Sequence, residues 1–126
     1  MKTILVDAWN TLVFDWKIHK EIQELLDTFS NPKIVLTNAT PEKQIQLGLV
    51  NLPYPLFSLS NNPSKTDPKY FETMLNHFSL NREKVVYFEH NLDAVKSAQS
   101  LGIEVYHYDA SKRDIEWVKS FLEQNL

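Results

Sequence analysis

The sequence predicts an α/β fold, a three-layer α/β/α Rossmann-like domain built on a central, mostly parallel five-stranded sheet. Short apolar segments of the kind that form buried strands alternate with segments whose apolar residues recur at helical spacing. Only two glycines occur, and neither GxGxxG nor GxxxxGK[ST] is present. The sequence therefore disfavours dinucleotide binding and P-loop chemistry on this scaffold.

The first strand is predicted at "TILV", residues 3–6. The segment 16–30 follows, and its apolar residues recur at the spacing of an amphipathic helix. Asp15 stands directly before this segment and is predicted to cap the helix. The dipeptide "NP" then breaks the helical pattern, and "KIVLT" at 33–37 is predicted to form the second strand.

The middle of the chain contains two helix starts that are marked by proline. A threonine precedes Pro41, which predicts a short helix over 41–50. The prolines that follow delay the third strand until about Leu56. Asp67 before Pro68 is a second combination of a capping residue and a first-turn proline, and it predicts the next helix.

The C-terminal part continues the alternation. A fourth strand is predicted at 83–88, a helix over 92–101 closed by Gly102, a fifth strand at 103–108 and a last amphipathic helix over 111–124. Four aromatic residues lie at core spacing and are predicted to pack inside: Tyr54, Phe57, Trp117 and Phe121.

Composition limits the classes of partner. Lys and Arg number 13 against 16 Asp and Glu, so a net charge of −3 gives no signal for nucleic acid or an anionic membrane. The chain has no cysteine, which excludes disulfides, thiolate metal sites and a cysteine nucleophile. No apolar run is long enough for a membrane span, and no signal peptide is recognisable. We expect a single domain over residues 1–126 and a cytoplasmic protein.

Polar residues follow the predicted strands at the edge where parallel sheets bind their ligands, beyond the carboxyl ends of the strands. An acid, a hydroxyl, an amide, a lysine and an acid–imidazole pair should therefore meet at one rim of the sheet. The candidate residues are Asp7, Trp9, Thr37, Asn38, Lys65, Glu89, His90 and Asn91.

Four of these stretches, taken in order, resemble the motifs of the haloacid dehalogenase-like (HAD) hydrolase superfamily. They are "ILVDAWNTL" with Asp7 and Thr11, "IVLTN" with Thr37, "SKTDPKYF" with Lys65, and "VVYFEHNLDAVKSAQSLGI". The resemblance covers nearly the whole chain. It implies a HAD-like core domain without a cap domain, and a phosphatase-type hydrolase.

The resemblance also implies roles for matching residues. Asp7 would attack a phosphoryl group or an alkyl carbon and form a covalent aspartyl intermediate. Thr37 would donate to an oxygen of the transferred group, and Lys65 would neutralise charge between the nucleophile and the bound anion. Mg²⁺ would take Asp7, the Trp9 carbonyl and an acid after the fourth strand. The substrate would be a phosphate ester, and a rim without a cap would admit a bulky or macromolecular one.

Two positions depart from the phosphatase pattern. Trp9 stands where that branch has a second aspartate acting as general acid and base, so activity should be weak. His90 aligns with the metal-binding acid, and Glu89 occupies the preceding position. Three cofactor states follow: Mg²⁺ if Glu89 reaches the site, a transition metal on Asp7, Glu89 and His90, or no metal.

Two other functions are alternatives to phosphoryl transfer. The dehalogenase branch lacks the second aspartate, as "DAWNTL" does, but it needs a helical cap for which residues 12–32 leave no room. A catalytically degenerate domain is the stronger alternative. It would use the open rim as a ligand- or protein-binding module, with Trp9, Asn38, Asn61, Asn62 and His90 available to the ligand. The candidate substrate-binding residues of a hydrolase are Trp9, Asn38 and Asn91.

Overall fold

A computed structural model describes residues 1–126, and its centre is a five-stranded sheet whose paired strands all run parallel. In chain order the strands are β1 (Thr3–Asp7), β2 (Val13–Phe14), β3 (Lys17–Ile18), β4 (Lys33–Thr37), β5 (Leu56–Ser58), β6 (Val85–Glu89) and β7 (Glu104–His107). The sheet order is β5-β4-β1-β6-β7, while β2 and β3 form a separate antiparallel hairpin. The predicted fold class is confirmed.

Four helices connect successive strands of the main sheet, and a fifth follows the last strand. They are α1 (Lys20–Asp27), α2 (Pro41–Leu47), α3 (Pro68–His77), α4 (Leu92–Gln99) and α5 (Ile115–Asn125), with a 3₁₀ turn at Arg82–Lys84. None of these helices combines the length and the apolar character that crossing a bilayer requires.

Alternating residues of the central strands build two cores, one on each face of the sheet. In β1, Ile4 and Val6 belong to the core that includes residues of α1 and α5. Leu5 belongs to the opposite core, which includes residues of α3 and α4. Burying one such side chain contributes about 1.5–3 kcal/mol. The sheet is therefore held from both sides, and its central strands form a firm base for the residues at their ends.

The two helix starts marked by proline are capped as predicted. The Thr40 hydroxyl accepts a hydrogen bond of 3.2 Å from the Lys43 amide, and the Asp67 carboxylate accepts one of 3.0 Å from the Lys69 amide. The first of these helices is shorter than predicted. It ends at Leu47 because Gly48 adopts a left-handed φ of 74°.

The prediction that Asp15 caps α1 was wrong. Asp15 and Trp16 have φ values of 53° and 60°, and they form the turn between β2 and β3. The helix begins only at Lys20, and its N-cap residue His19 makes no capping bond through its side chain. Residues 13–18 form the hairpin instead, although their apolar spacing also fits a helix.

The aromatic predictions were partly correct. Phe57 is buried at 7% exposure, and Tyr54 and Phe121 are partly buried against the core. Trp117 was predicted wrongly, because 63% of it is exposed on α5. That helix packs through Val118 and Leu122 instead.

Candidate active site

The order of the strands brings three predicted residues together at one rim. Strand β1 lies between β4 and β6, and all three run in the same direction. Asp7, Thr37 and Glu89 are the last residues of these strands, so they lie side by side at the carboxyl edge. All three are at most 5% exposed.

Lys65 reaches this rim from the loop before α3 and joins the two acids. Its ammonium lies 2.7 Å from Asp7 Oδ1 and 2.7 Å from Glu89 Oε1. Lys65 itself is 6% exposed. A buried lysine of this kind is stable only when its charge is paired and its hydrogens are bonded, and both conditions are met here.

His90 approaches the same acids from the other side. Its Nδ1 is hydrogen-bonded to Asp7 Oδ2 and lies 3.3 Å from Glu89 Oε2. Lys65 therefore takes one oxygen from each carboxylate, and His90 takes the other. The result is a closed ring of two acids and two bases.

Further donors hold the carboxylates in place. The Thr11 hydroxyl donates a 2.7 Å hydrogen bond to Asp7 Oδ2. The Tyr87 hydroxyl donates to Glu89 Oε1, and the Asn91 amide donates a 3.0 Å bond to Glu89 Oε2. Of the four carboxylate oxygens, only Oδ1 of Asp7 has a single partner of any kind, the Lys65 ammonium.

The ring fixes the charges of its members. Burial would raise the pKa of Asp7, but the Lys65 ammonium and the His90 hydrogen bond hold it well below its usual range. Burial would lower the pKa of Lys65, yet the two carboxylates raise it above its usual range. Burial also lowers the pKa of His90, but the hydrogen bonds to Asp7 and Glu89 outweigh this effect and raise it to about 9. At neutral pH, Asp7 is an anion and both bases are cations.

Thr37 and Asn38 follow β4 and have different surroundings. The Thr37 hydroxyl oxygen accepts a 3.2 Å bond from the Ala39 amide, so its own hydrogen is available to a ligand. The Asn38 side chain is engaged at both ends: its Oδ1 accepts a 2.7 Å bond from the Lys65 amide, and its Nδ2 donates to Ser64 at 3.2 Å. Asn38 therefore anchors the loop that carries Lys65.

Asn91 and Trp9 complete the set of predicted residues. The Asn91 side chain caps α4, accepting a 3.2 Å bond from the Ala94 amide. Trp9 packs edge-on against Trp16, with ring centroids 5.9 Å apart. This contact joins the rim to the hairpin.

An open cavity of about 240 Å³ lies over the ring of charges. Asp7, Lys65, Glu89 and His90 line it together with Trp9, Thr37, Asn38 and Asn91, so the rim brings all the predicted site residues to one space. Lys43 of α2 adds a further cation to its wall. The cavity is large enough for a small polar group such as a phosphate.

Sequence reasoning missed Tyr87. It lies two residues before Glu89 on β6, so both side chains point to the same face of the sheet. Its hydroxyl bonds the Glu89 carboxylate, and burial together with that carboxylate raises the pKa of Tyr87 well above its usual value. Because alternate residues of a strand lie on the same face, the sequence "YFE" could have predicted the Tyr87 hydroxyl beside the Glu89 carboxylate.

The donor set does not fit Mg²⁺. That ion requires near-octahedral oxygen ligation, whereas here an imidazole nitrogen lies against both carboxylates. Asp7, Glu89 and His90 do offer ligand atoms within 4.8 Å of one another, a spacing that suits a transition metal. However, Nδ1 faces carboxylate oxygens, which only accept, so it must carry a hydrogen and has no lone pair for a metal.

Comparison with known proteins shows which fold carries this site. No family model matches the sequence, and no curated protein matches it. Among solved structures, a HAD family enzyme from Bacteroides thetaiotaomicron, an aspartate-to-alanine mutant in complex with magnesium and inorganic phosphate, is similar with a TM-score of 0.68 and 12% identity, over 87% of this chain and 95% of that one.

Two further structures agree. A HAD-superfamily hydrolase of subfamily IA from Geobacter sulfurreducens has a TM-score of 0.65 and 13% identity, over 86% of this chain and 89% of its own. An uncharacterized protein from Corynebacterium glutamicum has a TM-score of 0.64 and 12% identity, over 98% of this chain and 96% of its own. This chain therefore has the fold of the haloacid dehalogenase-like hydrolases.

Proposed function

We propose that this protein is a HAD-like hydrolase that binds a phosphate ester at the open rim and transfers the phosphoryl group to Asp7. The observation that carries the proposal is the asymmetry of the Asp7 carboxylate. Its Oδ2 is held by Thr11 and His90, whereas Oδ1 meets only the Lys65 ammonium at the base of the cavity. One oxygen is fixed and the other is available to react.

The chemistry would proceed in two displacements. A lone pair on Asp7 Oδ1 attacks phosphorus, the bond from phosphorus to the ester oxygen breaks, and the leaving group takes a proton from water. A water oxygen then attacks the aspartyl phosphate and the bond from phosphorus to Oδ1 breaks. The proton of that water passes to the hydroxide left by the first step, and phosphate leaves with the carboxylate restored. Lys65 and the free hydrogen of Thr37 would stabilise charge on the transferred group.

Trp9 would make this reaction slow. Its indole has only an N–H donor and cannot exchange a proton with the leaving group at neutral pH. The missing acid–base step typically contributes about 10²–10⁴-fold. Esters whose leaving group needs no proton, such as aryl phosphates, should therefore react best.

Several observations support a phosphorylated ligand. A cavity of about 240 Å³ suits a phosphoryl group, and Lys43 and Lys65 line it. A structural relative binds magnesium and inorganic phosphate. If residues 1–126 form a HAD-like core without a cap, the rim would also admit a bulky substrate.

The second candidate is a binding module without turnover. The specific observation in its favour is Trp9, which replaces the acid–base group while the charged ring around Asp7 stays intact. Such a protein would hold an anionic ligand or a protein surface at the rim.

The test is hydrolysis of an aryl phosphate by the wild type, Asp7→Asn and Trp9→Asp, with a panel of divalent metals and with a chelator. A hydrolase should show slow turnover that Asp7→Asn removes and Trp9→Asp raises. Turnover only in Trp9→Asp would favour the binding module. Wild-type turnover that survives Asp7→Asn would rule out Asp7 as the nucleophile.

A further inference from the structure

We propose that His90 occupies the place of a divalent cation, so that this site neutralises its acids with its own side chains and binds no metal. The inference goes beyond the proposed reaction, and it holds whether the rim catalyses or only binds.

The first support is the position of the ring. His90 follows β6 directly, and its side chain turns back towards β1 to meet Asp7. Its backbone amide also lies 3.4 Å from Asp7 Oδ2. His90 is therefore held on Asp7 through both its ring and its backbone. Its Nδ1 contacts the two carboxylate oxygens that Lys65 leaves, one from each acid.

The second support is the charge balance. Asp7 and Glu89 carry two negative charges as carboxylates, and Lys65 with an imidazolium at His90 supplies two positive ones. Each cation touches one oxygen of each acid, at 2.7 Å for both Lys65 contacts. A divalent ion in the same place would add charge to a site that is already neutral, and it would stand close to the Lys65 ammonium.

The third support is the occupancy of the carboxylate oxygens. Thr11 donates to Asp7 Oδ2, Tyr87 to Glu89 Oε1 and the Asn91 amide to Glu89 Oε2. With the Lys65 and His90 contacts counted, each of these three oxygens has at least two donors for its two lone pairs, so a metal bound to one of them would displace a donor. Removing one partner from a buried hydrogen bond leaves the other unsatisfied, which is unfavourable.

The fourth support is the change in charge that a carboxylate at position 90 would bring. Replacing the His90 imidazolium by a carboxylate would leave three acids around one lysine, a net charge of −2 that matches a divalent cation. A single substitution, His90→Asp, should therefore create a Mg²⁺ site from the existing Asp7 and Glu89. His90→Asn is the matched control, because it removes the imidazole and adds no charge.

The experiment is thermal unfolding and calorimetric titration of chelator-stripped protein with Mg²⁺, Mn²⁺ and Zn²⁺. We expect no shift in Tm and no site-specific heat for the wild type and for His90→Asn. For His90→Asp, Tm should rise with the logarithm of the Mg²⁺ concentration. If His90→Asp folds only with Mg²⁺ present, the inference is equally supported.

Two results would overturn the inference. One is wild-type metal binding that Glu89→Gln weakens at least tenfold, which would place a metal in the ring. The other is a folded His90→Asp variant that ignores Mg²⁺. If the wild type binds a metal and Glu89→Gln does not change the affinity, the metal binds outside the ring, which agrees with a metal-free ring. None of these readouts needs turnover, so failure of the proposed hydrolase activity is a separate result.

Discussion

At the scale of single residues, Lys65 is the side chain on which the charged ring depends. It is buried and bonded to both Asp7 and Glu89 at 2.7 Å. Lys65→Met keeps most of the side-chain volume but leaves two buried carboxylates with only His90 between them. We expect the free energy of unfolding, measured in urea, to fall by about 3–5 kcal/mol.

The matched control for that loss is Lys69→Met on α3, an exposed lysine four residues later. Its effect should stay within about 0.5 kcal/mol. Adding Glu89→Gln to Lys65→Met should restore part of the lost stability, because one carboxylate would again face one cation. Equal effects of the two lysine substitutions would contradict the importance of the buried ring.

At the scale of secondary structure, the hairpin β2–β3 is the element that the sequence concealed. Each of its strands has two residues, too few for an alternating pattern to appear. Its turn uses left-handed φ values at Asp15 and Trp16, where glycine or asparagine would have signalled a turn. By contrast, the helix starts at Pro41 and Pro68 carry strong local signals, and both were predicted.

Gly48, directly after α2, lies close to the turn of the hairpin, which gives a prediction at this scale. Gly48 has a φ of 74°, and an added Cβ would lie 2.8 Å from the Trp16 carbonyl oxygen. Gly48→Ala should therefore destabilise the protein by backbone strain of about 1–2 kcal/mol and, in addition, by displacing the hairpin. Trp16 contacts Trp9, so the tryptophan fluorescence of the folded protein should change as well.

Gly102→Ala separates the two contributions. Gly102 has a similar φ of 82°, but its nearest neighbour would be the flexible Arg82 side chain at 3.4 Å. We expect Gly102→Ala to lose only the strain contribution and to leave the fluorescence unchanged. A loss as large as that of Gly48→Ala would show that the contact with Trp16 adds nothing.

At the scale of the whole molecule, sequence pattern was sufficient for the fold and for the location of the rim. Strands buried on both faces leave continuous apolar segments in the sequence, and the carboxyl ends of parallel strands must share an edge. The direction in which His90 points could not be predicted, because tertiary contacts with Asp7 and Glu89 determine it. Tyr87 was missed for a related reason: in a buried strand a tyrosine looks like any core aromatic until its partner is known.

Stability as a function of pH tests the ring as a whole. The folded pKa of Asp7 lies below its ordinary 3.8, so its contribution to stability is present above that value and is lost as the pH falls. The folded pKa of His90 is about 9 against an ordinary 6.5, so its contribution is complete below 6.5 and is lost as the pH rises through 9. Stability should therefore be greatest between these limits and decline on both sides.

Urea unfolding of the wild type and His90→Gln from acid to alkaline pH checks this, since the variant should lose the decline between 6.5 and 9 that His90 causes. His77→Gln, at an exposed histidine, should keep it. An unchanged alkaline decline in His90→Gln would mean that His90 is not held as a cation by the two acids.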